Sequence, residues 1–62
     1  MQVTYREKQF PVEETLTVSQ LLKMLKVLPE SVLVIRNGQL VTEDHHLLPD
    51  DTVKIVTVVS GG

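Results

Sequence analysis

Alternation of apolar and polar residues predicts a β-hairpin at the start of the chain. Residues 1–6 alternate in this way, with Met1, Val3 and Tyr5 as the apolar members, and period-2 alternation indicates a half-buried strand. Residues 7–9 form a polar turn, and residues 10–13 alternate again as the return strand. Because Pro11 has no N–H to donate, we expect the second strand to lie at a sheet edge.

One helix is predicted after the hairpin. Thr17 and Gln20 have the spacing of a capping box, in which the threonine hydroxyl accepts from the Gln20 N–H and the Gln20 side chain reaches back. Pro29 disfavours helical geometry in the residue before it. The helix is therefore predicted from about Val18 to Val27, with its apolar stripe at Val18, Leu21, Leu22, Leu25 and Leu28.

The second half of the chain predicts three further strands. Residues 32–35 are a continuous aliphatic run, Asn37-Gly38 is a tight-turn dipeptide, and residues 39–41 form a short strand after it. Residues 53–59 form a long β-branched strand. The order β-β-α-β-β-β predicts an α+β fold, in which one helix packs across one face of a mixed sheet of four to five strands. The long last strand is expected at the centre, parallel to the first.

Length and composition restrict the class of protein. The 62 residues predict a single domain, 1–62. A net charge of −2 argues against non-specific nucleic-acid binding. The absence of cysteine excludes disulfides and thiolate chemistry, which favours a cytoplasmic protein at this size. No segment has the pattern of a signal peptide or a membrane span.

The terminal Gly61-Gly62 pair is the strongest candidate for function, and residues 60–62 are expected to form a flexible tail. A frayed terminus is the alternative interpretation. Two glycines can thread a narrow channel in a partner, because they lack Cβ atoms. The α-carboxyl group of Gly62 is ionised at neutral pH, and a carboxylate must be activated before it reacts. The sequence contains no phosphate-binding loop, so activation with a nucleotide requires a partner enzyme.

A second candidate is an apolar patch on the sheet. One helix covers only one face, and the predicted strands are apolar on both faces. The other face is expected to carry a partner-binding patch, unless a loop or the short strand covers it. Its provisional members are Leu33, Ile35, Val56 and Val58.

The sequence gives little indication of metal binding or catalysis by side chains. His45-His46 fits a solvated loop better than a metal site, because adjacent residues rarely chelate one ion. No nucleophile and base can be paired. We therefore expect neither a metal site nor enzymatic activity.

Three short motifs carry a family resemblance. The segments Asn37-Gly38-Gln39-Leu40-Val41, Leu48-Pro49-Asp50-Asp51-Thr52-Val53 and Val58-Val59-Ser60-Gly61-Gly62, together with the element order, resemble the ThiS/MoaD family of ubiquitin-like sulfur carriers. The resemblance covers nearly the whole chain, and the length is closer to the short ThiS-type carriers. It implies a β-grasp fold.

The resemblance also implies a mechanism. A ubiquitin-activating-type adenylyltransferase, using ATP and magnesium, adenylates the carboxylate of Gly62, with Gly61 as part of the tail. Sulfur from a cysteine desulfurase or a rhodanese-like donor then displaces AMP. The resulting thiocarboxylate supplies an acceptor such as thiazole synthase. Carriers for molybdopterin, tRNA thiolation, cysteine synthesis or protein conjugation share this body and tail, so the acceptor stays open. A binding module with an inert tail is the alternative from another class.

Overall fold

The computed structural model describes residues 1–58. Its strands, numbered in chain order, are β1 Gln2–Tyr5, β2 Lys8–Pro11, β3 Leu16–Thr17, β4 Val32–Arg36, β5 Gln39–Val41, β6 His46–Leu47 and β7 Thr52–Thr57. The helix α1 spans Val18–Met24, and a short 3₁₀ helix spans Pro29–Ser31.

Five strands form one mixed sheet in the order β2-β1-β7-β4-β5. The central strand β7 is parallel to β1 and antiparallel to β4, as the sequence predicted. β2 is an edge strand, which agrees with the position of Pro11. With α1 packed across one face, this arrangement confirms the predicted β-grasp fold.

The core lies between α1 and the sheet. The strands contribute alternate residues to it, so the other set of alternate residues lies on the opposite face. The fully buried side chains are Val3, Val18, Leu21, Leu22, Leu47 and Val53. None of the helices in residues 1–58 has the length and apolar character needed to span a membrane.

The first turn is shorter than predicted. Strand β1 ends at Tyr5 and β2 begins at Lys8, so the turn consists of Arg6 and Glu7 instead of residues 7–9. Both turn residues have positive φ, 51° and 64°. Two consecutive positive φ angles are typical of a type I′ turn, whose twist matches that of the strands. The pattern missed this turn because it lacks the usual asparagine and glycine.

The helix begins as predicted and ends early. The Gln20 N–H donates to the Thr17 hydroxyl over 3.1 Å, and the Thr17 N–H donates to the Gln20 side chain over 2.9 Å, which completes the capping box. The predicted end at Val27 is wrong, because Lys26 has a φ of 59°. The Val27 N–H donates to the Leu22 carbonyl over 2.9 Å, a Schellman contact that ends the helix.

A second sheet of two short strands, β3 and β6, was not predicted. It holds the loop before β7 against the start of α1. There the N–H groups of Val18 and Ser19 donate to the carbonyls of His45 and Glu43, each over 2.9 Å. The first turn of a helix has no internal partners for its N–H groups, so this loop supplies them.

Candidate functional site

The sheet face opposite α1, called the open face below, carries the predicted patch. Leu33 of β4 lies directly opposite Val56 of β7 in the strand register, and residues opposite each other project from the same face. Ile35 lies two residues beyond Leu33, and Val58 two residues beyond Val56, so all four predicted residues share this face. Leu33 and Val58 are 43% and 36% exposed, while Ile35 and Val56 are half-buried.

Leu40 extends this surface and was missed in the sequence. It pairs with Ile35 across the β4–β5 hairpin and is 65% exposed. The signal was present, because a two-residue turn at Asn37-Gly38 places residues 36 and 39 opposite each other, and therefore residues 35 and 40 as well. The apolar patch is defined from here on as Leu33, Ile35, Leu40, Val56 and Val58.

A groove of about 290 Å³ adjoins the apolar patch. Strand β5 pairs with β4 only from Val34 to Arg36, which leaves the start of β4 without a neighbour on that side. The groove occupies this gap beside α1, and Leu33 and Leu40 belong to both surfaces. Its other lining residues are Val18, Leu22, Pro29, Val32, Val34, Val41, Thr42 and Glu43.

A buried carboxylate fixes the hairpin that carries Leu40. Asp51 is 6% exposed and accepts from Arg36 Nε over 2.6 Å, from the Leu48 N–H over 2.8 Å and from Asn37 Nδ2 over 3.0 Å. The hydrogen bond from Arg36, followed by that from Leu48, lowers the pKa of Asp51 to about 2. The carboxylate therefore joins the end of β4 and its turn to the start of β7.

His45 belongs to the edge of this network. Its Nε2 lies 3.2 Å from Nη1 of Arg36, and a guanidinium group only donates. His45 Nε2 is therefore the acceptor in this contact. Residues 1–58 contain no group of three or more histidine, cysteine, aspartate or glutamate side chains placed to hold a metal ion.

Strand β7 leads toward the C-terminus along the edge of the apolar patch. The Val58 N–H donates to the Ser31 carbonyl over 2.9 Å, so the chain is still held to the sheet at Val58. The predicted site residues Gly61 and Gly62 lie outside the described residues.

The sheet order, the single helix and the exposed apolar patch define a small protein of the β-grasp class. Within that class, the chain belongs to the ThiS family, whose model matches residues 1–62. The chain is also similar to the crystal structure of a thiamine biosynthesis protein (ThiS) from Geobacter metallireducens. The two share 30% sequence identity over 100% of both chains, with a TM-score of 0.70. No curated protein matches the sequence significantly.

Proposed function

We propose that this chain is a sulfur carrier protein of thiamine biosynthesis, and that it serves its partner enzymes as a protein substrate instead of catalysing a reaction itself. The observation that carries the proposal is the match of the ThiS family over the whole chain, including the terminal Gly61-Gly62. The similarity to the Geobacter ThiS protein over the full length of both chains supports the same assignment.

The proposed reacting group is the α-carboxylate of Gly62. In the first step one of its oxygens attacks the α-phosphate of ATP, held with magnesium by an adenylyltransferase, and pyrophosphate leaves. The acyl carbon of the adenylate is a much better electrophile than the free carboxylate. The terminal sulfur of a persulfide on a cysteine desulfurase or rhodanese-like donor then attacks the acyl carbon, and AMP leaves, which gives an acyl disulfide between Gly62 and the donor cysteine. A thiol reductant supplies two electrons to cleave this disulfide, which releases the donor cysteine and leaves the thiocarboxylate that supplies sulfur to a thiazole synthase.

The apolar patch is the proposed docking surface for these partners. Exposed apolar side chains that cluster on one face are typical of protein-binding sites. Leu33, Leu40 and Val58 retain much of their surface in the free protein, so a partner can bury it. Val58 lies only four residues before the end of the chain, which keeps the carboxylate within reach of an active site beside the docked surface.

The test is reconstitution with the adenylyltransferase of the same organism, ATP, magnesium, a sulfur donor and a thiol reductant, followed by intact-protein mass spectrometry. We expect a mass change equal to one oxygen-to-sulfur exchange, located on the C-terminal peptide. Deletion of Gly62 is expected to abolish the change and leave the circular dichroism spectrum unaltered. An unmodified wild-type chain, with an enzyme that adenylates another ThiS protein in parallel, contradicts the proposal.

A further inference from the structure

Lys54 is the one charged residue among the strand positions of the open face in residues 1–58. The register places the apolar patch on one half of this face. The other half is polar apart from Pro11, and its members are Gln2, Thr4, Gln9, Pro11 and Thr52. Lys54 lies on the border between the two halves. It is directly opposite Ile35 on β4 and opposite Thr4 on β1.

The acidic residues of the chain lie elsewhere. The protein has eight acidic residues and a net charge of −2, yet none of the eight occupies a strand position of the open face. Within residues 1–58 the only ion pair joins Arg36 to Asp51. The exposed ammonium group of Lys54 therefore has no carboxylate partner in this part of the chain.

Docking on the apolar patch changes the surroundings of this ammonium group. Directly opposed residues in a sheet have Cβ atoms about 5 Å apart, so the stem of Lys54 lies beside Ile35. A partner that covers Ile35 and Val56 also displaces water from the Lys54 head group. An ammonium group removed from water is strongly unfavourable unless an opposite charge replaces that water.

This inference rests on the proposed function. We infer that the adenylyltransferase presents an aspartate or glutamate carboxylate to Lys54, at the border of an apolar contact surface. This ion pair between Lys54 and the partner's carboxylate fixes the orientation of the docked carrier. It also disfavours binding to other proteins whose surfaces are apolar but lack an acidic residue at this place. Complementary charges at the border of an interface contribute to specificity and to the association rate.

The test compares two charge reversals, Lys54→Glu and Lys23→Glu. Lys23 is an exposed lysine on α1, on the other side of the sheet, so it controls for the change in net charge. Carrier-dependent ATP–pyrophosphate exchange is measured with the adenylyltransferase of the same organism. We expect Lys54→Glu to raise the KM for the carrier by about tenfold or more with little change in kcat, and Lys23→Glu to change KM by less than about twofold.

Two further measurements make the outcome decisive. The wild-type KM is expected to rise with salt concentration more steeply than that of Lys54→Gln, because an ion pair is screened by salt. Urea denaturation checks that each variant is folded. If wild-type carrier supports exchange but Lys54→Glu behaves like Lys23→Glu, this inference is overturned and the proposed function stands. If wild-type carrier supports no exchange, both are overturned.

Discussion

Removing the charge of Asp51 is the perturbation whose effect on the free energy of unfolding follows most directly from the structure. Its carboxylate is almost fully buried and accepts three hydrogen bonds, one of them from the guanidinium group of Arg36. The pKa of Asp51 falls from its ordinary value of 3.8 to about 2. A group whose pKa is lower in the folded protein stabilises the fold when it is ionised, and this difference corresponds to about 2 kcal/mol.

The pH dependence follows from that sign. The contribution of Asp51 to the free energy of unfolding is complete above about pH 4 and is lost as the pH falls through about 2. Asp51→Asn keeps the shape of the side chain and removes its charge. We expect this variant to be less stable than wild type by about 2 kcal/mol or more at neutral pH. The difference should shrink to well under half of that value near pH 2.

Urea denaturation followed by circular dichroism measures this difference at each pH. Domains have about 0.05–0.15 kcal/mol of stability per residue, so a loss of this size shifts the midpoint visibly. Asp50→Asn is the matched control, since Asp50 is an exposed neighbour with the same charge, and we expect it to change stability by less than about 0.5 kcal/mol. A deficit for Asp51→Asn that is equally large at neutral and low pH would refute the electrostatic reasoning.

Three other substitutions test the fold and the docking surface. Lys26→Gly should raise the free energy of unfolding by about 1 kcal/mol, because Lys26 has a φ of 59° at the position after the helix where glycine is unstrained; a lower urea midpoint would contradict this. Leu21→Ala should lower the free energy of unfolding by about 2–5 kcal/mol, since Leu21 is fully buried. A loss below about 1 kcal/mol would show that the core repacks. Val56→Asp should weaken binding of the adenylyltransferase by about 2 kcal/mol or more with little loss of stability. Isothermal titration calorimetry beside the exposed control Thr57→Asp checks this, and unfolding of Val56→Asp would instead place Val56 in the core.

The sequence was sufficient to predict the main sheet, because the residue patterns that indicate its strands and turns are local and strong. The β-branched run of β7 and the turn at Asn37-Gly38 predict one central strand and one hairpin, and both are found. The capping box predicts the start of α1 from two residues. Strand geometry then sorts the residues of β4 and β7 into two alternating sets. Both sets are largely apolar, so the packing of α1 decides which of them is buried.

The remaining features depend on contacts between residues far apart in the chain. The hydrogen bond between Arg36 and Asp51 spans 15 positions, and no local pattern predicts that these two residues pair. The two-residue strands β3 and β6 are too short to produce alternation. Lys26 and the Arg6-Glu7 turn adopt positive φ angles without glycine or asparagine, so propensity alone predicts a longer helix and a later turn.

The apolar character of the open face is difficult to explain by folding alone. Burial stabilises a side chain in proportion to the apolar area it removes from water, and Leu40 keeps 65% of its surface exposed. A polar residue with high strand propensity, such as threonine, would be compatible with strand β5 at this position. It would also reduce the risk of aggregation at this sheet edge. The five residues of the apolar patch lie together beside the end of β7, while the acidic residues lie off this face. The proposed docking of a partner enzyme accounts for that distribution, and the stability of the free domain does not.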